Sequence, residues 1–393
     1  MGGGSGGHVT PVLAVINELN RLDRRVEITF ICDKAFETQT RGLMKHAEVP
    51  VAVRTVTAGK LRRYHGIVWW KQLLDIPTTL KNIRDVFLVG VGVVQSGLFL
   101  SRYKPDVMFA KGGYVCLPVG IAAKLLRIPI VIHDSDTRPG LTNKVLSRWA
   151  TAIATGAPLQ NYNYPKEISH YTGVPIHADF HPFTDKEQRD AKAQLGVTDL
   201  RKPLVVVTGG GLGAKSINEA MLTIAPQLLE HGAAVYHITG KGQFESIQSR
   251  AHRHADYILT PFVYKDMATV LGAADIVVAR GSATFLQELA ALQKAVVIIP
   301  AGHLSDQVKN AEVFESAEAA VVLTDKTIAA KPEKLADAIT VLLDEPAEAH
   351  HIASQLHTFA KPAAAADVAA LIVEVYSART KQTINPIDQA GGA

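Results

Sequence analysis

The chain has 393 residues, more than one core usually holds, since a single hydrophobic core rarely grows beyond about 250–300 residues. Hydrophobic residues make up 47% and charged residues 20%, the balance of a globular protein rather than a disordered or fibrous one. A net charge of +4 spread along the chain leaves no footprint for nucleic acid, and two cysteines, Cys32 and Cys116, exclude a disulfide framework or a cysteine metal cluster.

The chain opens on a glycine turn, Gly2-Gly-Gly-Ser5-Gly6-Gly7-His8, followed by a predicted helix over 11–22. Such a turn normally follows a strand. Only Met1 precedes it here, so either the start lies a few codons upstream or this half lacks its central strand. No signal peptide is predicted ahead of the turn. A strand is predicted over 26–32. Lys60, Arg62 and Arg63 then precede Ile67-Val-Trp69-Trp70, with Lys71, Leu73 and Leu74 beyond. This apolar cluster ringed by cations fits a packed core helix or a wedge into an anionic membrane surface, and both readings stand. A long helix is predicted over 78–102. Its most apolar part, 86–100, falls short of the ~20 residues of a spanning helix, and Gln95, Ser96 and three glycines interrupt it. It predicts a buried or interfacial helix.

Two later stretches repeat one another. Asp106-Val-Met-Phe-Ala-Lys111-Gly112-Gly113 opens a segment ending in Ile128-Pro-Ile-Val-Ile-His133-Asp134. Asp275-Ile-Val-Val-Ala-Arg280-Gly281-Ser282 opens another, ending in Ala295-Val-Val-Ile-Ile-Pro300. Each reads as apolar strand, basic residue with glycine, Ala/Leu-rich helix and second apolar strand, a βαβ unit of a parallel sheet covered on both faces. After the first repeat, Pro139-Gly140 breaks the chain before a helix over 141–150, and turn residues at 161–165 and 173–175 mark a domain boundary near 175. A polar helix over 184–195 follows. The strand 203–208 feeds a further glycine turn, Gly209-Gly-Gly211-Leu-Gly-Ala214, and strands over 235–239 and 257–260 lead to the second repeat. Helices run over 334–378, and the tail from Arg379 predicts disorder. The fold class is therefore α/β, with two Rossmann-like doubly wound parallel-sheet domains in tandem, residues 1–174 and 175–358.

Glycine turns at helix N-termini offer free N–H groups and partial positive charge to a phosphate or diphosphate. Three in one chain, with a fourth small-residue turn at Gly281-Ser-Ala283, predict diphosphate binding by at least one. Asp33 lies where a dinucleotide fold places its ribose acid, so a nicotinamide cofactor is not excluded by pattern alone. His8, at the mouth of the first turn, is the candidate general base. Asp134-Ser-Asp136 spells a D-x-D, the form in which some sugar transferases hold a divalent metal. Without a further carboxylate or histidine in sequence reach, polar substrate contacts are the better reading, and no metal or cofactor is assigned. Glu288, on the helix after Arg280-Gly-Ser-Ala, could accept both hydroxyls of a ribose. Asp306, Gln307 and Asn310 form a polar cluster suited to sugar hydroxyls.

Together these residues resemble the family of undecaprenyldiphospho-muramoylpentapeptide β-N-acetylglucosaminyltransferases, two-domain B-type glycosyltransferases of peptidoglycan synthesis. The resemblance runs from Gly2 to about Val375. It is carried by Gly-Gly-Gly-Ser-Gly-Gly-His-Val-Thr-Pro11, Lys-Gly-Gly-Tyr-Val115, Pro-Gly-Leu-Thr-Asn-Lys144, Gly-Gly-Gly-Leu-Gly-Ala214, Arg280-Gly-Ser-Ala through Glu288, and Gln307-Val-Lys-Asn-Ala311. It implies inverting transfer of N-acetylglucosamine from UDP-N-acetylglucosamine to the muramoyl 4-hydroxyl of lipid I at the cytoplasmic membrane face. It further implies that Ser5, Gly6 and Gly7 contact the donor or the lipid diphosphate, and that Val263 meets the uracil through its backbone. Ala283, Thr284, Phe285, Leu286, Gln287 and Glu288 would hold diphosphate and ribose, with Arg280 nearby, and Gln307 would read the N-acetylglucosamine. A helix over 359–378 would return to the first domain, leaving 379–393 as tail. Three departures stand out: His133-Asp-Ser-Asp136 replaces His-Glu-Gln-Asn, His177 replaces an arginine, and Gly211 replaces a frequent serine. Other readings left open are a different B-type UDP-sugar transferase, a UDP-N-acetylglucosamine 2-epimerase, and a non-catalytic nucleotide-sugar-binding subunit.

Overall fold

A computed structural model describes residues 1–2, 9–23, 25–60, 75–137, 139–263 and 266–381. The chain divides into two compact units, Met1–His177 with Ala363–Ala393, and Ala178–Pro362.

The second unit is built on one parallel sheet of β7 (Leu204–Thr208), β8 (Ala234–Ile238), β9 (Tyr257–Thr260), β10 (Ile276–Ala279), β11 (Ala295–Ile298) and β12 (Val321–Val322), counting strands from the chain start. Their order across the sheet is β12-β11-β10-β7-β8-β9. Successive side chains of a strand point to opposite faces. Val205, Val207, Val235, Ile276 and Val278 accordingly enter one buried cluster, and Leu204, Val206, Ala234, Val277 and Ala279 enter the other. Helices cover both faces, which explains strands apolar at every position rather than at alternate ones. The polar helix Asp185–Gln194 starts at a capping box, Thr184 with Glu187.

The first unit holds β1 (Ile28–Cys32) and β2 (Val51–Thr55) as one parallel pair, and β3 (Met108–Ala110), β4 (Ile130–Asp134), β5 (Ala152–Thr155) and β6 (Ser169–Tyr171) as a second parallel sheet. Among the described residues no strand joins these two sheets. Met1 lies along β3: its amino group donates to Phe109 O at 2.8 Å, and its carbonyl accepts from Lys111 N at 3.0 Å. The helix Ala364–Thr380 packs on this unit through Val368, Ala369, Leu371 and Ile372, against Val15 of the helix Thr10–Leu22 and against Val131 and Ala154.

The helix Ile76–Tyr103 contains the helix predicted over 78–102. It is a single helix of 28 residues, long and apolar enough by composition to cross a membrane, and only 22% of its apolar window is buried. Asp85, Gly92, Ser96 and Leu100 face inward, and Gly92 packs against Pro118 of the helix Cys116–Leu125. Leu80, Ile83, Phe87, Val94 and Leu98 face outward. The tryptophan cluster and its cations Arg62, Arg63 and Lys71 lie outside the described residues.

Candidate functional site

In the second unit, strand order reverses between β7 and β10, one run continuing through β8 and the other through β11. Ligands of such sheets bind at the carboxyl ends of the strands where the order switches. Two small-residue turns meet there. Residues 209–213 follow β7 and open the helix Lys215–Glu230. Arg280-Gly281-Ser282 follow β10 and open the helix Ala283–Leu292. In the first turn Gly213 has φ +74°, and a Cβ there would come within 2.1 Å of Thr239 O. In the second, a Cβ on Gly281 would lie 2.7 Å from Gln307 O, so glycine lets the helix Ser305–Ser316 close on the turn.

A buried network missed by sequence reasoning fixes the first turn. His237 bridges Tyr257 Oη at 3.0 Å and Asn218 Oδ1 at 2.9 Å. Asn218 donates to Thr239 O at 2.9 Å and to Gln243 Oε1 at 3.0 Å, and Gln243 reaches Leu212 O at 3.4 Å. Burial pushes His237 down to about 4, so it works as a neutral ring. A histidine inside an apolar strand gave no signal of this role.

Arg280 is a correction. It donates to Asp325 Oδ1 at 2.7 Å, Ile299 O at 2.9 Å and Ser216 Oγ at 3.0 Å. Burial opposes ionisation of Asp325, yet Ser216 and Arg280 hold its carboxyl below the usual value. The guanidinium is thereby neutralised and ties β10 to the helices Lys215–Glu230 and Asp325–Ala330 instead of standing free for a diphosphate.

Along the helix Ala283–Leu292 the predicted residues separate. Leu286 belongs to the core, Thr284 is buried, and the Gln287 amide donates to Phe359 O at 3.0 Å. The Leu286 side chain thus serves the core and the Gln287 amide the segment at Phe359. Ala283 and Phe285 present first-turn N–H groups instead, the form in which a helix start receives an anion. Glu288 stands apart: its carboxylate has no hydrogen bond or ion pair among the described residues, and burial pushes it up to about 8. Gln307 accepts from Ala301 N at 3.0 Å through Oε1, which leaves its NH2 as a donor. Asn310 donates to Gly281 O at 3.0 Å and so supports the turn, not a sugar. Val263 is partly buried against the core, and Gly211 is exposed at the tip of the first turn, 3.5 Å from the Phe262 ring if it bore a Cβ.

In the first unit Ser5, Gly6, Gly7 and His8 lie outside the described residues. Asp134 is buried and accepts from Tyr164 Oη at 2.8 Å and Gly140 N at 3.2 Å. It ties β4 to the start of the helix Leu141–Leu146 through Oδ2. Asp136 is half-buried, and His177 is exposed at the end of the unit. A cavity of about 510 Å³ opens by the ends of β1 and β2, lined by Asp33, Arg54, Gln95 and Phe99, and of the candidate residues only Asp33 is among those that line it. Asp33 there caps the turn at Phe36 N, 2.9 Å away.

Comparison with known proteins matches the glycosyltransferase family 28 N-terminal domain to residues 1–155 and its C-terminal domain to residues 204–368. A Bacillus cereus protein named UDP-N-acetylglucosamine–N-acetylmuramyl-(pentapeptide) pyrophosphoryl-undecaprenol N-acetylglucosamine transferase 2 is 35% identical over 84% of this chain and 87% of its own. The chain belongs to glycosyltransferase family 28. A Lachnoclostridium phytofermentans member carrying the same transferase name is 33% identical over 87% of this chain and 89% of its own. The crystal structure of Acinetobacter baumannii MurG superposes with a TM-score of 0.67 at 25% identity, covering 95% of this chain and 98% of that one. Family 28 membership makes the chain a two-domain B-type glycosyltransferase. Both family domains contain a reversal-point turn or its counterpart, since Gly112-Gly113 follows β3 as Gly281 follows β10.

Proposed function

We propose that this chain transfers N-acetylglucosamine from UDP-N-acetylglucosamine to the muramoyl 4-hydroxyl of lipid I with inversion, forming lipid II. The observation that carries the reading is Glu288, a carboxylate without a partner among the described residues, one helical turn beyond first-turn N–H groups at the switch point of the second unit. A ribose diol would donate to that carboxylate while the diphosphate lies against the helix start. Support comes also from the printed names of relatives 33–35% identical over most of the chain.

In the transition state positive charge develops on the donor sugar and negative charge on the departing UDP. First-turn N–H groups at Ala283 and Phe285 would stabilise the latter, and the Gln307 NH2 would read a sugar hydroxyl. His8 would take the acceptor proton. The protein would act as a peripheral protein at the cytoplasmic membrane face, and the outward apolar stripe of the helix Ile76–Tyr103 supports that location.

The test is transfer of radiolabelled sugar from UDP-N-acetylglucosamine to lipid I, with and without chelator. Lipid II formation indifferent to chelator is expected; label released to water or epimerised on free donor would reject the reading. His8→Ala should lower turnover about 10²–10⁴-fold with UDP affinity within a few-fold. An equal loss of UDP affinity would make His8 a donor-binding residue instead.

A further inference from the structure

The helix Ile76–Tyr103 buries a hydroxyl that no described residue satisfies. Ser96 is 1% exposed, and its Oγ has no hydrogen-bond partner among the described residues. A serine inside a helix can bond back to the carbonyl four residues earlier, and Ser96 does not. A buried hydroxyl left without a partner is destabilising, so it needs an account. Ser96 lines the cavity of about 510 Å³ by the ends of β1 and β2, and so does the neighbouring Gln95. Gln95 accepts from Thr57 N at 2.9 Å through Oε1, which leaves its NH2 as a second donor.

The rest of the lining supplies three kinds of group. Lys34 and Arg54 are exposed cations, and neither is paired with a carboxylate among the described residues. Arg54 is held from one side, its guanidinium 6.0 Å from the centre of the Tyr103 ring and bonded to Tyr103 Oη at 3.2 Å. An aromatic partner orients that charge without cancelling it. Asp33 is a buried acceptor: its Oδ1 takes Phe36 N at 2.9 Å, and its Oδ2 has no hydrogen bond among the described residues. Phe99 and Val56 supply apolar wall.

A ligand matched to this set carries an anionic group for the cations, carbonyl oxygens for Ser96 and Gln95, an N–H for Asp33 and an apolar side chain for Phe99. A diphosphate has nothing to donate to Asp33 and no use for Phe99. A polyprenyl tail satisfies neither the cations nor Ser96. A peptide bearing a carboxylate has all four features. The place agrees with a substrate, because an α/β unit meets its ligands at the carboxyl ends of its strands. Gln95 also lies between Val94 and Leu98 of the outward apolar stripe, beside the face assigned above to the membrane.

We propose that this cavity is the subsite for the peptide of the acceptor: Arg54 and Lys34 hold a peptide carboxylate, and Ser96 and Gln95 donate to its carbonyl groups. This rests on the reading above that the chain glycosylates lipid I, and it adds selection of the acceptor by its peptide.

The experiment compares the original chain with Arg54→Met and Ser96→Ala on two acceptors, lipid I and the same muramoyl lipid diphosphate without its peptide. It measures acceptor KM, kcat and thermal melting. The original chain should show a KM about tenfold or more lower for lipid I than for the peptide-free acceptor. Each variant should raise the KM for lipid I about fivefold or more, with kcat within about threefold and the KM for the peptide-free acceptor within about twofold. Ser96→Ala separates binding from structure. Deleting an unsatisfied hydroxyl should hold or raise the melting temperature, whereas a structural role would lower it and move both KM values together. Should Arg54→Met fail to fold, Ser96→Ala carries the same comparison. Equal KM values for the two acceptors in the original chain would overturn the proposal, as would a variant KM that rises alike on both acceptors or on neither. If the original chain transfers no sugar to lipid I, the transferase reading fails, and titration calorimetry of the full chain with the free pentapeptide decides the subsite by itself. Saturable binding weakened about fivefold or more in either variant supports it. No saturable binding, or binding unchanged in both variants, overturns it.

Discussion

At the scale of single residues, Glu288 carries the sharpest consequence. It keeps some exposed surface, yet the protein packed around it pushes its carboxyl up to about 8. Between the ordinary carboxylate value and that point the folded state holds a proton that the unfolded state has released. Stability of the ligand-free protein from this group is therefore present at acid pH and falls as pH rises through the window. Ribose hydroxyls that donate to Glu288 favour its ionised form, so UDP binding near pH 7 should release part of a proton and tighten as pH rises towards 8. Calorimetry in two buffers of different ionisation enthalpy measures that release. In Glu288→Gln the release and the pH slope should both vanish. Glu288→Ala should weaken UDP by about 1.5–3 kcal/mol, and a 2′-deoxy donor should lose little more in that variant. Full additivity of the two losses would remove the ribose from Glu288.

At the scale of elements, the turns depend on contacts between segments far apart in sequence. Arg280 reaches Asp325, 45 residues on, and with Ser216 it ties two helices to the end of β10. Asp325→Asn should leave a largely buried guanidinium under-compensated, lowering stability by about 1–3 kcal/mol and UDP affinity by less than Glu288→Ala does. Thermal melting and calorimetry on one preparation separate these effects, and unchanged melting would mean that the clamp carries no strain-bearing role. The strands 204–208, 276–279 and 295–298 were legible because burial on both faces leaves an unbroken apolar run. The strand Val51–Thr55 was not, since only Val53 among its residues is buried, and Ser169–Tyr171 has no aliphatic residue at all. Their pairing is set by the neighbouring strands rather than by their own pattern. The site divides likewise. Glu288 was proposed from its place on the helix after a glycine turn, and Gln307 from its place after the apolar run 296–299. The engagement of Leu286 in the core and of Gln287 with Phe359, the neutralisation of Arg280, and the use of Asp134 and Asn310 as supports all depend on partners that spacing does not reveal.

At the scale of the whole molecule, UDP recognition is predicted for the second unit and membrane contact for the first, so the two should be separable by substitution. Leu80, Ile83, Phe87, Val94 and Leu98 recur at helical spacing along one outward face of the helix Ile76–Tyr103, and Phe87 and Leu98 are each 71% exposed. Lys81, Arg84, Arg102 and Lys104 stand exposed on or beside the same helix. Burying such an apolar side chain in the interface contributes about 1.5–3 kcal/mol, which salt does not screen. Each cation adds roughly 1 kcal/mol at an anionic surface, which salt does screen. Phe87→Ser with Leu98→Ser should therefore abolish the binding to vesicles that survives high salt, leaving UDP affinity and the melting temperature near their original values. Reversing Lys81 and Arg84 should instead remove the preference for anionic over neutral lipid. Trp69→Ser with Trp70→Ser, in the basic segment just before the helix, tests the second apolar cluster in the same assay. Loss of high-salt binding there without a change in melting would extend the lipid face to that segment. A strongly lowered melting temperature with unchanged vesicle binding per folded molecule would make those tryptophans core. If neither pair of serine variants changes vesicle sedimentation, the apolar stripe does not bind lipid and the membrane assignment falls.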